Sequence, residues 1–231
     1  MTWLSVNTTG IINIITSPTV FFPALKQNPT FMFPLMMVLV AGVATFLYYF
    51  ATVDLAWLTS QLDPSNGTAK EAEQAQPYAS FRLLAMASFS GVLIGTPLAL
   101  LLYAAYFSLV DKVINDSSNG FKSWLSLVCW CSIPVLFISI SSCINISLVD
   151  NGRMALNAIN PLTLNNLFFH LSLGDDFFGP LNSLDLAALW VLLLMVVGFH
   201  QWTHASLSKS IAIVITPTVI KYIAWVLLIV A

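Results

Sequence analysis

Residues 121–149 read FKSWLSLVCWCSIPVLFISISSCINISLV, and Lys122 is the one charge among them. A helix rises about 1.5 Å per residue and the hydrocarbon core of a bilayer is about 30 Å thick, so about 20 mostly apolar residues cross it. This stretch is long enough, and its solvent is therefore lipid. Working outward, the same pattern recurs at residues 31–53, 81–110, 184–204 and 211–231. Only 8% of the 231 residues are charged, where a soluble domain carries about 25%. The fold class is therefore all-α: a polytopic membrane bundle of five transmembrane helices over 31–231, preceded by an interfacial segment over 1–30.

The segments between spans, 54–80 at the longer of the first two and 150–183 before the fourth, are too short for an ordinary independent domain. A net charge of −2 and the absence of any basic run exclude nucleic acid as a partner. Cys129, Cys131 and Cys143 all fall inside the third span, which argues against a loop disulfide framework or a zinc site and for plain packing. No cofactor is implied. The first 30 residues lack the pattern of a cleavable signal peptide, so the first span reads as an uncleaved signal-anchor.

Charge sets the orientation. With the N-terminus cytoplasmic, Lys26, Lys112, Lys122 and Lys209 lie inside with Asp111 and Asp116; Lys70, Arg82 and Arg153 lie outside among most of the acids. The positive-inside rule then predicts a cytoplasmic N-terminus and an outer C-terminus. Within 1–30, Ser17 suits a helix cap and Pro18 a first helical position, while Pro23 predicts only one distorted turn or two. Residues 63–67 form a turn signal, and 68–76 predicts a helix leading into span two. Segment 150–183 carries Leu162, Leu164, Phe168, Phe169, Phe177 and Phe178, broken by Asn160-Pro161 and Gly179-Pro180. Such a segment should lie on the outer membrane surface or cap the bundle.

Four features carry the functional candidates. Ala87, Gly91, Gly95 and Ala99 recur every four residues on one helix face, the spacing that lets two backbones approach in lipid. They serve either packing inside the bundle or contact with a second copy or partner. Pro97, Pro134 and Pro217 interrupt spans two, three and five. Lys221 stands about 15 Å from either end of the last run. A lysine there costs about 2.5–3.5 kcal/mol on insertion scales and should face the bundle or a wet cavity. It either pairs with helix carbonyls or escapes by tilt, or it contacts substrate, protons or lipid phosphate.

His200 and His204 are four apart, as metal ligands on one helix face would be. Gln201 stands where a metalloprotease helix needs glutamate, so the better account is interfacial histidines beside Trp202. Ser132, Ser139, Ser141, Ser142, Asn145 and Ser147 on span three predict interhelical hydrogen bonds. The GxSxG, GxxxxGK[ST] and HExxH signatures are absent, so no catalytic residue is assigned and the chain does not read as an enzyme.

The order of several short motifs resembles the Yip1-domain membrane proteins, in particular their bacterial branch. Ile15-Thr16-Ser17-Pro18 with nearby aromatics is similar to the family's opening. Lys26-Gln27-Asn28-Pro29 looks like its lead into the first span. Phe121-Lys122-Ser123-Trp124 enters a span bearing Pro134, and Leu184-Asp185-Leu186 precedes Trp190 and Gly198. The chain departs from the family in Pro23 and in a long segment before span four. The resemblance implies five spans with the N-terminus in and the C-terminus out, in a bacterial inner membrane. It also implies partners that are other membrane proteins, since some bacterial relatives are thought to assist ABC-type efflux assemblies. The functional expectation is a non-enzymatic adaptor or accessory subunit. The alternatives are a small transporter or channel subunit using Lys221, and a lipid-binding or membrane-shaping protein.

Overall fold

The structure, a computed structural model, describes residues 3–61, 81–114 and 119–230. The turn expected over 63–67, the helix expected over 68–76 with its Lys70, and Asp116 lie outside the described residues. In chain order the helices are α1 (Trp3–Thr16), α2 (Pro18–Gln27), α3 (Met32–Thr52), α4 (Leu55–Gln61), α5 (Phe81–Ser90) and α6 (Thr96–Ile114). They continue as α7 (Phe121–Cys131), α8 (Val135–Ser147), α9 (Phe178–Asn182), α10 (Leu186–Thr203) and α11 (Leu207–Val230). Among the described residues five helical stretches are long and apolar enough to cross a membrane, starting at Met32, Phe81, Phe121, Leu186 and Leu207. The all-α polytopic architecture expected from the apolar runs is the one observed.

The prolines shape these spans in different ways. Pro97 follows a π-helical turn, Gly91–Gly95, that joins α5 to α6; such a turn is a standard way to absorb a helix irregularity. Pro134 ends the turn that separates α7 from α8, where the Ile133 amide bonds the Trp130 carbonyl at 3.1 Å. Pro217 leaves α11 unbroken, and Pro23 likewise sits inside α2. The N-terminal segment thus forms two full helices instead of the distorted turns Pro23 predicted. Ser17 does precede α2 with Pro18 at its start, but its side chain makes no capping hydrogen bond.

The chain divides into two compact units. The first comprises 1–38, 96–135 and 188–224. Its centre is aromatic: Phe107, Trp124, Phe199 and Trp202 are all buried, with neighbouring ring centroids 5.3–5.6 Å apart. Helices α1 and α2 belong to this unit. Trp202 donates its indole N–H to the Phe22 carbonyl at 3.0 Å. In return the Lys26 ammonium donates to the Trp202 carbonyl at 2.9 Å, a cation on an orphan carbonyl at a helix C-terminus.

The second unit comprises 39–95, 136–187 and 225–231. Its core joins Tyr49, Val53, Leu58, Leu84 and Ile146 to Met154 and Ile159. The greasy segment 150–183 therefore caps the helices of this unit through its buried residues. Tyr49 donates to the Met154 carbonyl at 2.8 Å, and Thr163 bridges Asp185 in antiparallel fashion. Gly152 has a positive φ of 64°, and a Cβ there would strike the Thr52 carbonyl, so only glycine fits. Asp54 caps α4, accepting the Trp57 amide at 3.0 Å, and pairs with Arg153 at 3.4 Å.

Candidate functional site

Within the second unit, Ala87, Gly91 and Gly95 are all exposed. A Cβ built on Gly91 would meet nothing within 4 Å, and one on Gly95 would meet only the Ser90 carbonyl, at 4.0 Å. Ala99, in the first unit, is exposed as well. Of the two expectations for these residues, close packing is not what the described residues show at Gly91 and Gly95. The glycines that do bring elements together are others. A Cβ on Gly42 would lie 2.9 Å from Val92, and one on Gly198 would lie 2.8 Å from Leu127. Neither belongs to a four-residue repeat of small side chains, so spacing alone did not reveal them.

Lys221 is exposed, and its ammonium lies 4.3 Å from the centre of the Tyr222 ring. It stands seven residues after the buried Val214 and three after Thr218, which bonds Tyr103, so it shares their side of α11. Only 6% of the apolar window of α11 is buried, against 50% for the third span, so most of its circumference is surface.

The remaining candidates serve the fold. His200 lies in α10 and bonds the Ala205 carbonyl through Nδ1 at 2.6 Å. His204 has left the helix with a φ of 55°, so the two do not share a helix face as their spacing suggested. Among the described residues no group of histidine, cysteine and carboxylate side chains could hold a metal. Asn145 donates to the Ala158 carbonyl at 2.8 Å and so ties α8 to the capping segment. Ser132 and Ser141 bond carbonyls of their own stretch, Cys129 and Ile138, instead of reaching across helices.

These features can be set beside known proteins. The family model of the Yip1 domain matches residues 12–228. The chain belongs to the Yip1-domain family. It is similar to the membrane protein YknW of Bacillus subtilis (strain 168), with 24% identity over 194 residues, covering 83% of this chain and 78% of that one. No solved structure matches.

Two features of this Yip1-domain chain were missed by reading the sequence. Asp111, assigned only to an inner loop, is fully buried. It accepts the Asn119 amide at 2.7 Å, the Asn119 side chain at 3.0 Å and the Trp124 indole at 3.2 Å. The second is a recurring use of proline. A helical proline leaves the carbonyl four residues earlier without its usual donor, and in the first unit two such carbonyls are filled from another helix. Thr19, four before Pro23, accepts Gln201 at 3.1 Å. Thr30, just before α3, likewise accepts Ser126 and Trp130, both at 2.8 Å. Ile213, four before Pro217, accepts the Tyr106 hydroxyl at 2.9 Å. The prolines are visible in the sequence; which side chains answer them depends on tertiary packing.

Proposed function

We propose that the chain is a non-enzymatic accessory subunit of a bacterial inner membrane, with its N-terminus cytoplasmic, that binds other membrane proteins by helix–helix contact. An ABC-type efflux assembly is the partner class this reading names. The observation that carries it is the outward placement of Ala87, Gly91 and Gly95. In lipid, helices gain little from hydrophobicity and associate through close packing, which small side chains permit. A face of this kind, not closely packed by the described residues of its own chain, offers a second helix room to approach.

The test replaces Gly91 and Gly95 with Leu in the tagged protein and purifies it from its native membrane in mild detergent. The expected result is loss of co-purifying membrane proteins with an unchanged melting temperature of the subunit itself. Assembly that survives both substitutions would remove this face as the mechanism.

A further inference from the structure

We infer that Leu167, Phe168 and Phe169 form a membrane-inserting loop, which enters the headgroup boundary of the leaflet where span three ends and span four begins. The occupant of this surface is lipid, and the loop lies wholly within the second unit.

Depth comes from the backbone on either side. The Leu164 amide bonds the Leu184 carbonyl at 2.8 Å, and the Leu186 amide bonds the Leu162 carbonyl at 3.2 Å. With the bridge between Thr163 and Asp185, these bonds hold the start of the loop against Leu186, the first residue of α10. Helix α10 has 18 residues, about 27 Å of rise. It has no length to spare beyond the hydrocarbon core, so Leu186 stands at the edge of that core. Phe169 is five residues past Leu164, about 8 Å at helical rise, within the depth to which interfacial segments bury their apolar faces. A second tie lies further along the segment. A Cβ on Gly179 would strike the Trp225 ring, and Trp225 is five residues from Val230, the end of α11. The segment is therefore pinned twice at the level where spans meet headgroups.

Presentation comes from Asn165. Residues Asn165–Phe169 form one π-helical turn, closed by His170 in the left-handed conformation. Asn165 is 2% exposed. Its side chain accepts the Leu171 amide at 2.9 Å and donates to the Leu171 carbonyl at 3.2 Å. The His170 amide returns to the Asn165 carbonyl at 2.8 Å. The loop thus answers backbone groups internally, as a lipid-facing segment must. What it turns outward is apolar: Phe168 is 67% exposed and Phe169 55%, with Leu167 beside them. Leu186, bonded through its backbone to the same loop base, is exposed too, so the apolar surface runs on from the start of a membrane span. Between Arg153 and Lys209 the chain has no Lys or Arg. Attraction to anionic headgroups therefore contributes nothing, and burial of the rings drives insertion.

The experiment places a nitroxide spin label at Phe168→Cys in the full chain, with Cys143→Ser removing the partly exposed native thiol; Cys129 and Cys131 are buried. The protein is reconstituted into phosphatidylcholine vesicles, with and without phosphatidylglycerol, and the label's collisions with oxygen and with a water-soluble nickel chelate are compared. Oxygen collisions should exceed nickel collisions severalfold, equally in both lipids, and Leu167→Cys should report the same. Asn165→Ala should lower that preference, because the turn is no longer held. A nickel preference places the loop in water and overturns the assignment. Shielding from both reagents overturns it as well, with spin–spin coupling between labels marking a second copy as the occupant. An oxygen preference that requires phosphatidylglycerol overturns its apolar basis.

Discussion

A backbone carbonyl in lipid has no water to turn to, so each proline in a span creates a debt that another side chain must settle. Tyr106 shows the arrangement most simply. Its hydroxyl donates to Ile213, the carbonyl that Pro217 cannot serve, while Tyr103 bonds Thr218 at 2.7 Å on the same pair of helices. Tyr106→Phe should lower unfolding stability by about 0.6–1 kcal/mol, read by steric-trap or SDS unfolding of the purified protein. The loss should vanish in a Pro217→Ala background, where the new amide serves Ile213 directly, and equal losses in both backgrounds would contradict the account. The need for a donor was legible at Pro217; the donor was not, because Tyr106 lies 107 residues away. Lys221 was legible as an anomaly for the same reason that its direction was not: a sequence gives depth, and only packing gives azimuth.

At the scale of elements, two contrasts are open to measurement. Helix α4 is held at its start by Asp54. The Trp57 amide above all, against the opposing effect of desolvation and with a further contribution from Arg153, holds its carboxyl below the usual range. A carboxyl whose pKa is lower folded than unfolded binds fewer protons when folded. Its stabilisation is therefore full above the unfolded value of about 3.9 and is lost as pH falls through the folded one. Amide exchange at Trp57, referred to the intrinsic rate at each pH, should lose protection below about pH 4, and Asp54→Asn should remove that pH dependence while keeping the cap. The second contrast lies between glycines. Gly198→Leu must displace Leu127 and Phe22, which a Cβ would already approach at 2.8 and 3.2 Å. It should cost about 1–3 kcal/mol in thermal unfolding, whereas Gly95→Leu should cost the isolated subunit nothing. A four-residue spacing shows that small residues share a face; it carries no information about what lies opposite.

Over the whole molecule, hydropathy alone located five spans, because lipid demands long apolar helices and leaves no other solution to the backbone. The capping segment 150–183 was legible as something other than a solvated loop from its apolar content, though it packs through Met154 and Ile159 and leaves Phe168, Phe169 and Phe177 exposed. Its folding onto Tyr49 was not, because Tyr49 and Met154 are 105 positions apart. The filled carbonyls of the first unit also bear on how the protein is made. A chain is synthesised from its N-terminus, and Thr19 must wait for Gln201, 182 residues later. Ile213, by contrast, emerges when Tyr106 is already in place. The Phe22 carbonyl waits in the same way for Trp202, 180 residues later. A nascent chain halted before span four thus holds its N-terminal helices without the two donors that fix them to the finished first unit.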